Sequence, residues 1–252
     1  MGTDRNDPTL EDAVGEVARV WWVVLVVGIK LLGGNGTSAA SSASPTVSAT
    51  PSAGPSPCGS PSPPPGSTQK KPTFPSAPPM TIDTSKTYTA TFKTTCGTFV
   101  AQLLPKTATE SVNSFVFLAD KGFYDGLPFH RIVKGFVIQG GAPNGDPQGG
   151  PGYDIPVTIT KGETFSQPGV LAFAHSQVKG NESQFFITLA PAPNLNPSAQ
   201  GKYTIFGNVT KGLDVVQKIG SVPTVPGPAC PQGESCSPTE PVFIQTLTVN
   251  ES

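Results

Sequence analysis

The sequence contains few charged residues. Only 13% of its 252 residues are Asp, Glu, Lys or Arg, and 16 basic residues are balanced by 17 acidic ones to give a net charge of -1. A nucleic-acid-binding domain normally carries an excess of Lys and Arg that neutralises phosphates. The balance therefore predicts a protein that binds no nucleic acid.

Histidine and cysteine are also scarce. The chain has two histidines, His130 and His175, and its cysteines form no Cys-x-x-Cys pair, so we expect no metal ion. The Gly-x-Ser-x-Gly motif is absent too, which disfavours a serine hydrolase. The cysteines are free thiols in a reducing compartment or, as we favour, disulfide-bonded in an oxidising one. They are Cys58, Cys96, Cys230 and Cys236.

Long hydrophobic runs are missing. Outside the later domain, the most apolar stretch is residues 20–32, VWWVVLVVGIKLL, which follows a polar tail at residues 1–19. A spanning helix needs roughly 20 apolar residues, but Lys30 can extend to one membrane interface while Trp21 and Trp22 suit the other. We favour a membrane anchor. The alternatives are a cleaved signal peptide and an amphipathic helix.

Proline and glycine are abundant by contrast, with 29 and 28 residues. Much of the proline lies in residues 33–79, a Pro/Ser/Ala-rich segment with almost no large apolar side chains. Such a segment cannot bury enough surface to offset the entropy that ordering costs. We expect a disordered, semi-extended linker that holds residues 80–252 away from the membrane.

Residues 80–252 combine many short strand patterns with two helix patterns. One helix follows a capping-box pattern at Thr107 and Glu110 and ends near Gly122, and the other covers residues 212–219. This mixture predicts a mainly β, closed architecture. The strand patterns cover residues 87–94, 98–104, 129–133, 136–139, 169–174, 184–189, 203–209 and 242–249.

The thirteen residues 129–141, FHRIVKGFVIQGG, predict a hairpin of two short strands. Strand side chains alternate between faces, so Arg131 points away from His130 and Ile132. An unpaired Arg is costly to bury, which indicates that Arg131 opens into a groove. The alternative is an edge-strand Arg in a surface salt bridge.

This hairpin resembles the signature of the cyclophilins, the peptidyl-prolyl cis-trans isomerases. FHR, GF and QGG follow in that family's order, and NESQFFIT at residues 181–188 is similar to its second signature. The resemblance covers residues 88–249. It implies a closed barrel of eight antiparallel strands, capped by two helices, in a bacterial protein that is membrane-anchored or exported.

The implied reaction is rotation of an X-Pro peptide bond, which breaks no covalent bond and requires no cofactor. Its barrier is about 18–20 kcal/mol because the C–N bond has partial double-bond character. The resemblance gives Arg131 the role of hydrogen-bond donor to the twisted amide. It gives Gln139 the role of orienting both Arg131 and the substrate.

The resemblance also implies a set of substrate-binding residues. The proline ring of the substrate would occupy an apolar socket. The substrate backbone next to it would pair with one short stretch of the chain, and a groove beside the socket would hold the neighbouring substrate residues. These residues are Phe136, Val137, Phe186, Leu195 and Tyr203 for the socket, Ala174, His175 and Ser176 for the backbone, and Gln184 for the groove. His130 is interpreted as structural.

Several positions depart from the family. Asn194 stands where Trp or His is frequent, Tyr203 replaces a frequent His, and residues 196–200 form a small insertion after Leu195. Val137 and His175 replace a common Met and a common Asn. Tyr203 keeps an aromatic wall with a polar tip, so we expect a working site. Loss of the Trp position implies weak binding of cyclosporin-type ligands.

The expected partners are Pro-containing unfolded or extended polypeptides, bound by a monomer. We expect the isomerase domain outside the cytoplasm on the cell membrane, or secreted, where it assists the folding of exported proteins. The alternative function is a non-catalytic module that binds proline peptides in the same groove. Because Arg131, Phe136, Gln139 and Phe186 occur together, the enzyme is favoured.

The cysteine pairing stays open at this point, since four cysteines allow three full pairings. In the cyclophilin barrel the last strand lies beside the first, which would bring the loop with Cys230 and Cys236 near Cys96. We expect a bridge from Cys96 to one of these two, or a Cys230–Cys236 bridge. Cys58 would then lie unattached in the linker.

Overall fold

The computed structural model describes residues 57–59, 62–143, 149–175, 180, 182–196 and 203–252. All of them belong to one compact unit, Pro51–Ser252. The predicted tail, the apolar segment 20–32 and most of the predicted linker lie outside the described residues. Within the described part, no helix is long and apolar enough to cross a membrane. The predicted domain boundaries stay predictions.

Ten strands, two α-helices and one single-turn 3-10 helix make up the described domain. The helices are α1, Thr109–Asp120, and α2, Leu213–Gly220, and the 3-10 helix is Pro193–Leu195. The strands are β1 Tyr88–Thr94, β2 Gly97–Leu103, β3 Arg131–Val133, β4 Val137–Gly140, β5 Val170–Phe173, β6 Phe185–Thr188, β7 Ile205–Lys211, β8 Thr224–Val225, β9 Ser237–Pro238 and β10 Ile244–Glu251.

Eight strands form one antiparallel sheet in the order β10-β1-β2-β7-β5-β6-β4-β3. All eight strands lie within a few residues of the strand patterns in the sequence. The separate ribbon of β8 and β9 was not predicted, because it lies in a Pro-rich stretch without alternation. The mainly β prediction is confirmed.

The prediction of a closed barrel is wrong, because β10 and β3, the two ends of the strand order, do not pair with each other and the sheet is a curled half-barrel. The segment 126–129 spans the gap instead, where the Phe129 N–H donates to the Val242 carbonyl at 2.8 Å. Pro128 forms only an isolated bridge with Phe243. Proline has no N–H for a ladder, so this segment cannot continue as a strand.

Alternation along the strands gives the sheet two apolar faces. Ile138, Leu171 and Ile187 belong to the main core, whereas Val137, Ala172 and Phe186 belong to a second, smaller cluster. Successive strand residues point to opposite faces, so one run of apolar residues serves both clusters. The main core supports the fold, and the second cluster forms the site described below.

Helix α1 packs on the main core through Val112, Phe115 and Leu118, which are fully buried. The predicted capping box is wrong: the N-cap residue is Ala108, which makes no side-chain cap hydrogen bond. The Thr109 hydroxyl donates to the Pro105 carbonyl at 2.7 Å instead. The turn before α1 thus begins the helix, and burial of the amphipathic face of α1 supplies most of the stability of the helix.

The disulfides are Cys58–Cys96 and Cys230–Cys236, with Cα–Cα distances of 4.6 and 5.4 Å. The second bridge confirms one of the two expected alternatives. The expectation that Cys58 lies unattached is wrong, because Cys58 packs against the main core and bonds to the β1–β2 turn. Residues 57–59 and 62–82, here called the strap, have no helix or strand, yet several of their residues contact the domain.

Candidate active site

Arg131 and Gln139 are held opposite each other by the β3–β4 hairpin. The register pairs Arg131 with Gln139, Gln139 with Phe186, and Phe186 with Ala172 on the next strand. Directly paired residues on antiparallel strands have Cβ atoms about 4.5–5.5 Å apart on the same face. The sheet thus places a cation, an amide and an aromatic ring in one row.

This row borders a pocket of about 160 Å³ on the face of the second cluster. Nine of the eleven predicted site residues line this one pocket, among them residues from β3, β4 and three separate loops. Of the other two, Gln184 lies behind the lining and Ser176 lies outside the described residues. The lining residues are Arg131, Phe136, Val137, Gln139, Ala174, His175, Phe186, Leu195 and Tyr203.

Aromatic rings make the pocket wall rigid and apolar. The ring of Phe186 meets Tyr203 edge to face, with centroids 5.2 Å apart, and His175 lies 5.3 Å from Tyr203. Phe186 is only 5% exposed. Such a wall suits a compact apolar ring.

Phe165, which was not predicted as a site residue, supports the wall from behind. Phe165 is fully buried and stacks on Phe186 with ring centroids 5.8 Å apart. Its backbone N–H donates to the Asn196 side chain at 2.9 Å, and its carbonyl accepts from Ala192. Phe165 follows an irregular loop with no periodicity, so no local signal indicates its burial.

The same contacts fix the 3-10 helix that carries Leu195. The Leu195 N–H donates to the Ala192 carbonyl at 2.9 Å, and the helix is capped by Asn196, whose side chain accepts from the Phe165 N–H. The insertion therefore begins with a residue that ties the helix to the socket. Asn194, where the family often has Trp or His, is exposed and lies outside the pocket lining.

Arg131 presents its charge to the pocket. Its side chain is half-buried. Within the described part of the chain the ion pair that forms is Lys86–Glu251 on the surface, and no carboxylate there lies within ion-pairing distance of Arg131. The alternative of a surface salt bridge for Arg131 therefore finds no partner among the described residues.

Two glutamines lie beside Arg131, with Gln139 in the pocket lining and Gln184 behind it. The Gln139 side-chain N–H donates to Gln184 Oε1 at 3.1 Å, and Gln184 Nε2 donates to the Gly149 carbonyl at 3.4 Å. Gln184 is only 8% exposed. This buried amide pair restricts the rotamer of Gln139 and so the position of the group beside Arg131.

His130 lies next to Arg131 in sequence but does not line the pocket. Burial of the imidazole, and secondly the nearby charge of Arg131, lower the pKa of His130 to about 4. Its two ring nitrogens are buried and have no hydrogen-bond partner among the described residues. His130 is therefore neutral at physiological pH, and its location agrees with a structural role.

The curled antiparallel sheet, its two helices and an Arg-bordered apolar pocket define a cyclophilin-like fold. Residues 89–249, more than half of the chain, match the family described as cyclophilin type peptidyl-prolyl cis-trans isomerase/CLD, and the chain belongs to this family. The matched region contains every residue of the pocket lining.

The match between this chain and relatives named peptidyl-prolyl cis-trans isomerase covers most of each relative's length. The chain is 45% identical over 135 residues to peptidyl-prolyl cis-trans isomerase-like 1 of Neurospora crassa, covering 52% of this chain and 80% of the relative. It is 42% identical over 120 residues to peptidyl-prolyl cis-trans isomerase B of Bacillus subtilis, covering 48% and 81%.

A solved cyclophilin type peptidyl-prolyl cis-trans isomerase from Cryptosporidium parvum shares the fold. Its TM-score is 0.56 at 26% identity, and the match covers 66% of this chain and 99% of that chain. The same Cryptosporidium protein, solved in the presence of the dipeptide Ala-Pro, matches with a TM-score of 0.55 at 26% identity, covering 65% and 99%.

Proposed function

We propose that this chain is a peptidyl-prolyl cis-trans isomerase that accelerates X-Pro bond rotation in polypeptides. The observation that carries the proposal is the position of Arg131, a half-buried cation bordering an apolar, aromatic-walled pocket. Family membership supports the same activity, and so does the Ala-Pro dipeptide used with the Cryptosporidium relative.

The pocket suits the reaction because rotation needs two things. A rigid socket must hold the proline ring while the preceding carbonyl turns, and Phe136, Phe186 and Leu195 supply such a socket. As the amide twists, its nitrogen lone pair leaves conjugation and becomes a hydrogen-bond acceptor. Arg131 is permanently charged and rigidly forked, so it stabilises that twisted state more than the planar ground states.

The remaining predicted residues have supporting roles in this proposal. Gln139 orients the guanidinium and the substrate carbonyl, and Gln184 holds Gln139. Ala174 and His175 lie where an extended peptide backbone would leave the socket. Tyr203 closes the wall against Phe186.

A protease-coupled assay with a Pro-containing peptide tests the activity. An isomerase increases the rate of the slow cis-to-trans phase in proportion to its concentration, whereas a binding module leaves the rate unchanged. Exchange-broadened NMR signals of the same peptide report binding separately. Binding without rate acceleration would favour the non-catalytic module and refute the enzyme.

We further propose that the domain works outside the cytoplasm of a bacterium, anchored in the membrane by residues 20–32 or secreted, on exported proteins. Two disulfides support an oxidising compartment, and the Ser/Ala/Pro-rich composition of residues 33–56, which precede the strap, supports a spacer. Cell fractionation with protease added outside, and mass spectrometry of the mature N-terminus, test the location. Recovery of uncleaved protein in the cytoplasm would contradict it.

Two finer proposals concern binding and assembly. We expect weak inhibition by cyclosporin, because Asn194 is exposed and outside the pocket lining, so it offers no large ring to a macrocycle. We also expect a monomer. Titration of the isomerase activity with cyclosporin tests the first proposal, and nanomolar inhibition would contradict it. Analytical ultracentrifugation tests the second, and a stable dimer would contradict it.

A further inference from the structure

The strap reaches the loop beside the candidate active site through Phe74. The Phe74 N–H donates to the Pro151 carbonyl at 2.7 Å. Its ring meets Phe117 of α1 and Tyr153 edge to face, with centroids 4.9 and 6.4 Å away. Phe74 therefore lies between helix α1 and residues 149–153, here called the groove loop.

The groove loop is shaped to receive the strap backbone. Gly152 has a φ of +95°, and a Cβ built on it would lie 2.6 Å from the Phe74 carbonyl oxygen. Only glycine permits both this conformation and this approach. Tyr153, next in the loop, is 8% exposed and places its hydroxyl 2.9 Å from the Ser114 hydroxyl.

The strap is itself held on both sides of Phe74. On one side the Cys58–Cys96 disulfide joins it to the β1–β2 turn, and Lys71 donates to the Asp125 carbonyl. On the other side Asn113 of α1 accepts from the Thr81 N–H at 2.9 Å and donates to the Pro79 carbonyl at 3.0 Å. These anchors leave the ring of Phe74 little freedom.

From the groove loop, hydrogen bonds continue to the pocket. The Gly149 carbonyl accepts from Gln184 Nε2, and Gln184 Oε1 accepts from Gln139, which is the register partner of Arg131. The connected groups run from Phe74 through the groove loop to the amide pair behind Arg131. The strap therefore contacts the scaffold directly and is connected to Gln184 and Gln139 only through the groove loop.

We propose that Phe74 is a positioning residue of the isomerase. The strap fixes the groove loop against α1, and the fixed loop holds Gln184 and Gln139 in the arrangement that receives an extended polypeptide. The inference rests on the proposed function, and it assigns part of the site's affinity for peptide to a segment outside the family match. Through the groove loop Phe74 acts first on Gln184, which is assigned to the substrate groove, so we expect its effect on peptide binding rather than on the rotation step.

The test compares Phe74→Ala with wild type in the full chain. We expect KM for a Pro-containing peptide to rise about threefold to tenfold, the range that one weakened hydrogen bond supports, with kcat within twofold. Phe74→Tyr keeps the ring and should restore the wild-type KM. Phe74→Leu is the fallback if the alanine variant does not fold, with an intermediate KM expected.

Ile82→Ala is the matched control. Ile82 is a partly buried strap residue that packs on the main core, and its backbone hydrogen-bonds to Asn113 and not to the groove loop. It should lose stability without a change in KM. An equal rise in KM in Ile82→Ala would show that general loosening, and not Phe74, causes the effect.

Two further measurements separate this role from the proposed function. The amide of residue 74, which donates to the Pro151 carbonyl of the groove loop, should exchange its hydrogen faster in Phe74→Ala and at an unchanged rate in Ile82→Ala, after correction for intrinsic rates and whether or not the protein is an active isomerase. In a Gln184→Ala background, Phe74→Ala should raise KM no further. Unchanged exchange of that amide, or fully additive effects of the two substitutions, would overturn the proposal.

Discussion

Arg131 is the residue on which the proposed reaction depends most. Arg131→Ala removes the pocket's cation but little buried surface, so the fold should persist while kcat/KM falls about a hundredfold or more, as when one transition-state donor is removed. Arg131→Lys keeps the charge but loses the planar fork, and should recover only part of the loss. The coupled peptide assay and a thermal melt check both variants.

A kcat/KM within twofold of wild type in Arg131→Ala would refute the mechanism. Equal activity of the Lys variant and wild type would show that charge alone suffices, without directed hydrogen bonding.

Phe186 joins the socket to the second apolar cluster. Because it is 5% exposed and contacts Phe165 and Tyr203, Phe186→Ala should cost about 3–5 kcal/mol in the free energy of unfolding and also lower activity. Phe173→Ala is the control, since Phe173 is fully buried in the main core away from the pocket. Urea unfolding and the peptide assay, run where both variants remain folded, measure the two effects.

The control should lose stability and keep most of its kcat/KM. If Phe186→Ala unfolds like wild type, or if Phe173→Ala loses as much activity, the socket assignment of Phe186 is wrong.

His130 should make the stability of the domain depend on pH. Its pKa is lowered to about 4 by burial and by Arg131, whereas the unfolded chain binds the proton near pH 6.5. The unfolded state thus binds more protons between these values, so the free energy of unfolding falls as pH decreases from about 6.5 to 4. Over this whole range, protonation of His130 lowers the free energy of unfolding by about 3 kcal/mol.

Urea unfolding of wild type and His130→Gln across this range measures the dependence. His130→Gln should lose the part of the pH dependence of the free energy of unfolding that is due to His130, while the part due to carboxylates remains. Parallel pH profiles of the two proteins would show that His130 does not titrate as described.

The two disulfides close loops of very different length. Cys58–Cys96 spans 38 residues and Cys230–Cys236 spans 6, so the loop-entropy relation assigns them about 4 and about 2 kcal/mol. The Cys58→Ser/Cys96→Ser double variant should therefore lose more stability in urea unfolding than Cys230→Ser/Cys236→Ser. The reverse order would indicate that the short bridge stabilises mainly through native contacts.

Such contacts exist at the edge of the sheet. The Ile132 N–H of β3 donates to the Cys236 carbonyl at 2.8 Å, and Cys236 is fully buried. The disulfide loop thus covers the strand that carries Arg131. An uncovered edge strand would expose unpaired backbone groups to other chains.

The strap should be part of the folded domain, although the family match begins after it. A chain beginning at residue 57 should melt at a higher temperature than one beginning at residue 80. The longer chain keeps the Cys58–Cys96 bridge and the Phe74 contacts, and about 4 kcal/mol corresponds to roughly 8–16 °C in a domain of this size. Calorimetry of both fragments checks this, and equal melting temperatures would mean that the strap adds no stability.

Local patterns allowed much of the fold and site to be predicted from the sequence. The sequence predicted a tight hairpin of two short strands around Lys134 and Gly135, and the structure contains this hairpin, with Arg131 paired to Gln139. Strand alternation gives each strand one core face. These features depend on neighbours only a few residues away, which is why a reading of the chain recovered them.

The sequence by itself therefore determined the eight strands of the main sheet and the Arg131 hairpin, and its family resemblance indicated the apolar residues that line the pocket. Only the tertiary structure decided the open half-barrel, the burial of Phe165, the Cys58–Cys96 pairing and the packing of Phe74 on the groove loop. Each of these joins segments far apart in the chain. Composition did not indicate the last two, because a Pro-rich segment lacks the apolar surface to fold alone. Such a segment can still become ordered on an existing domain that supplies the missing contacts.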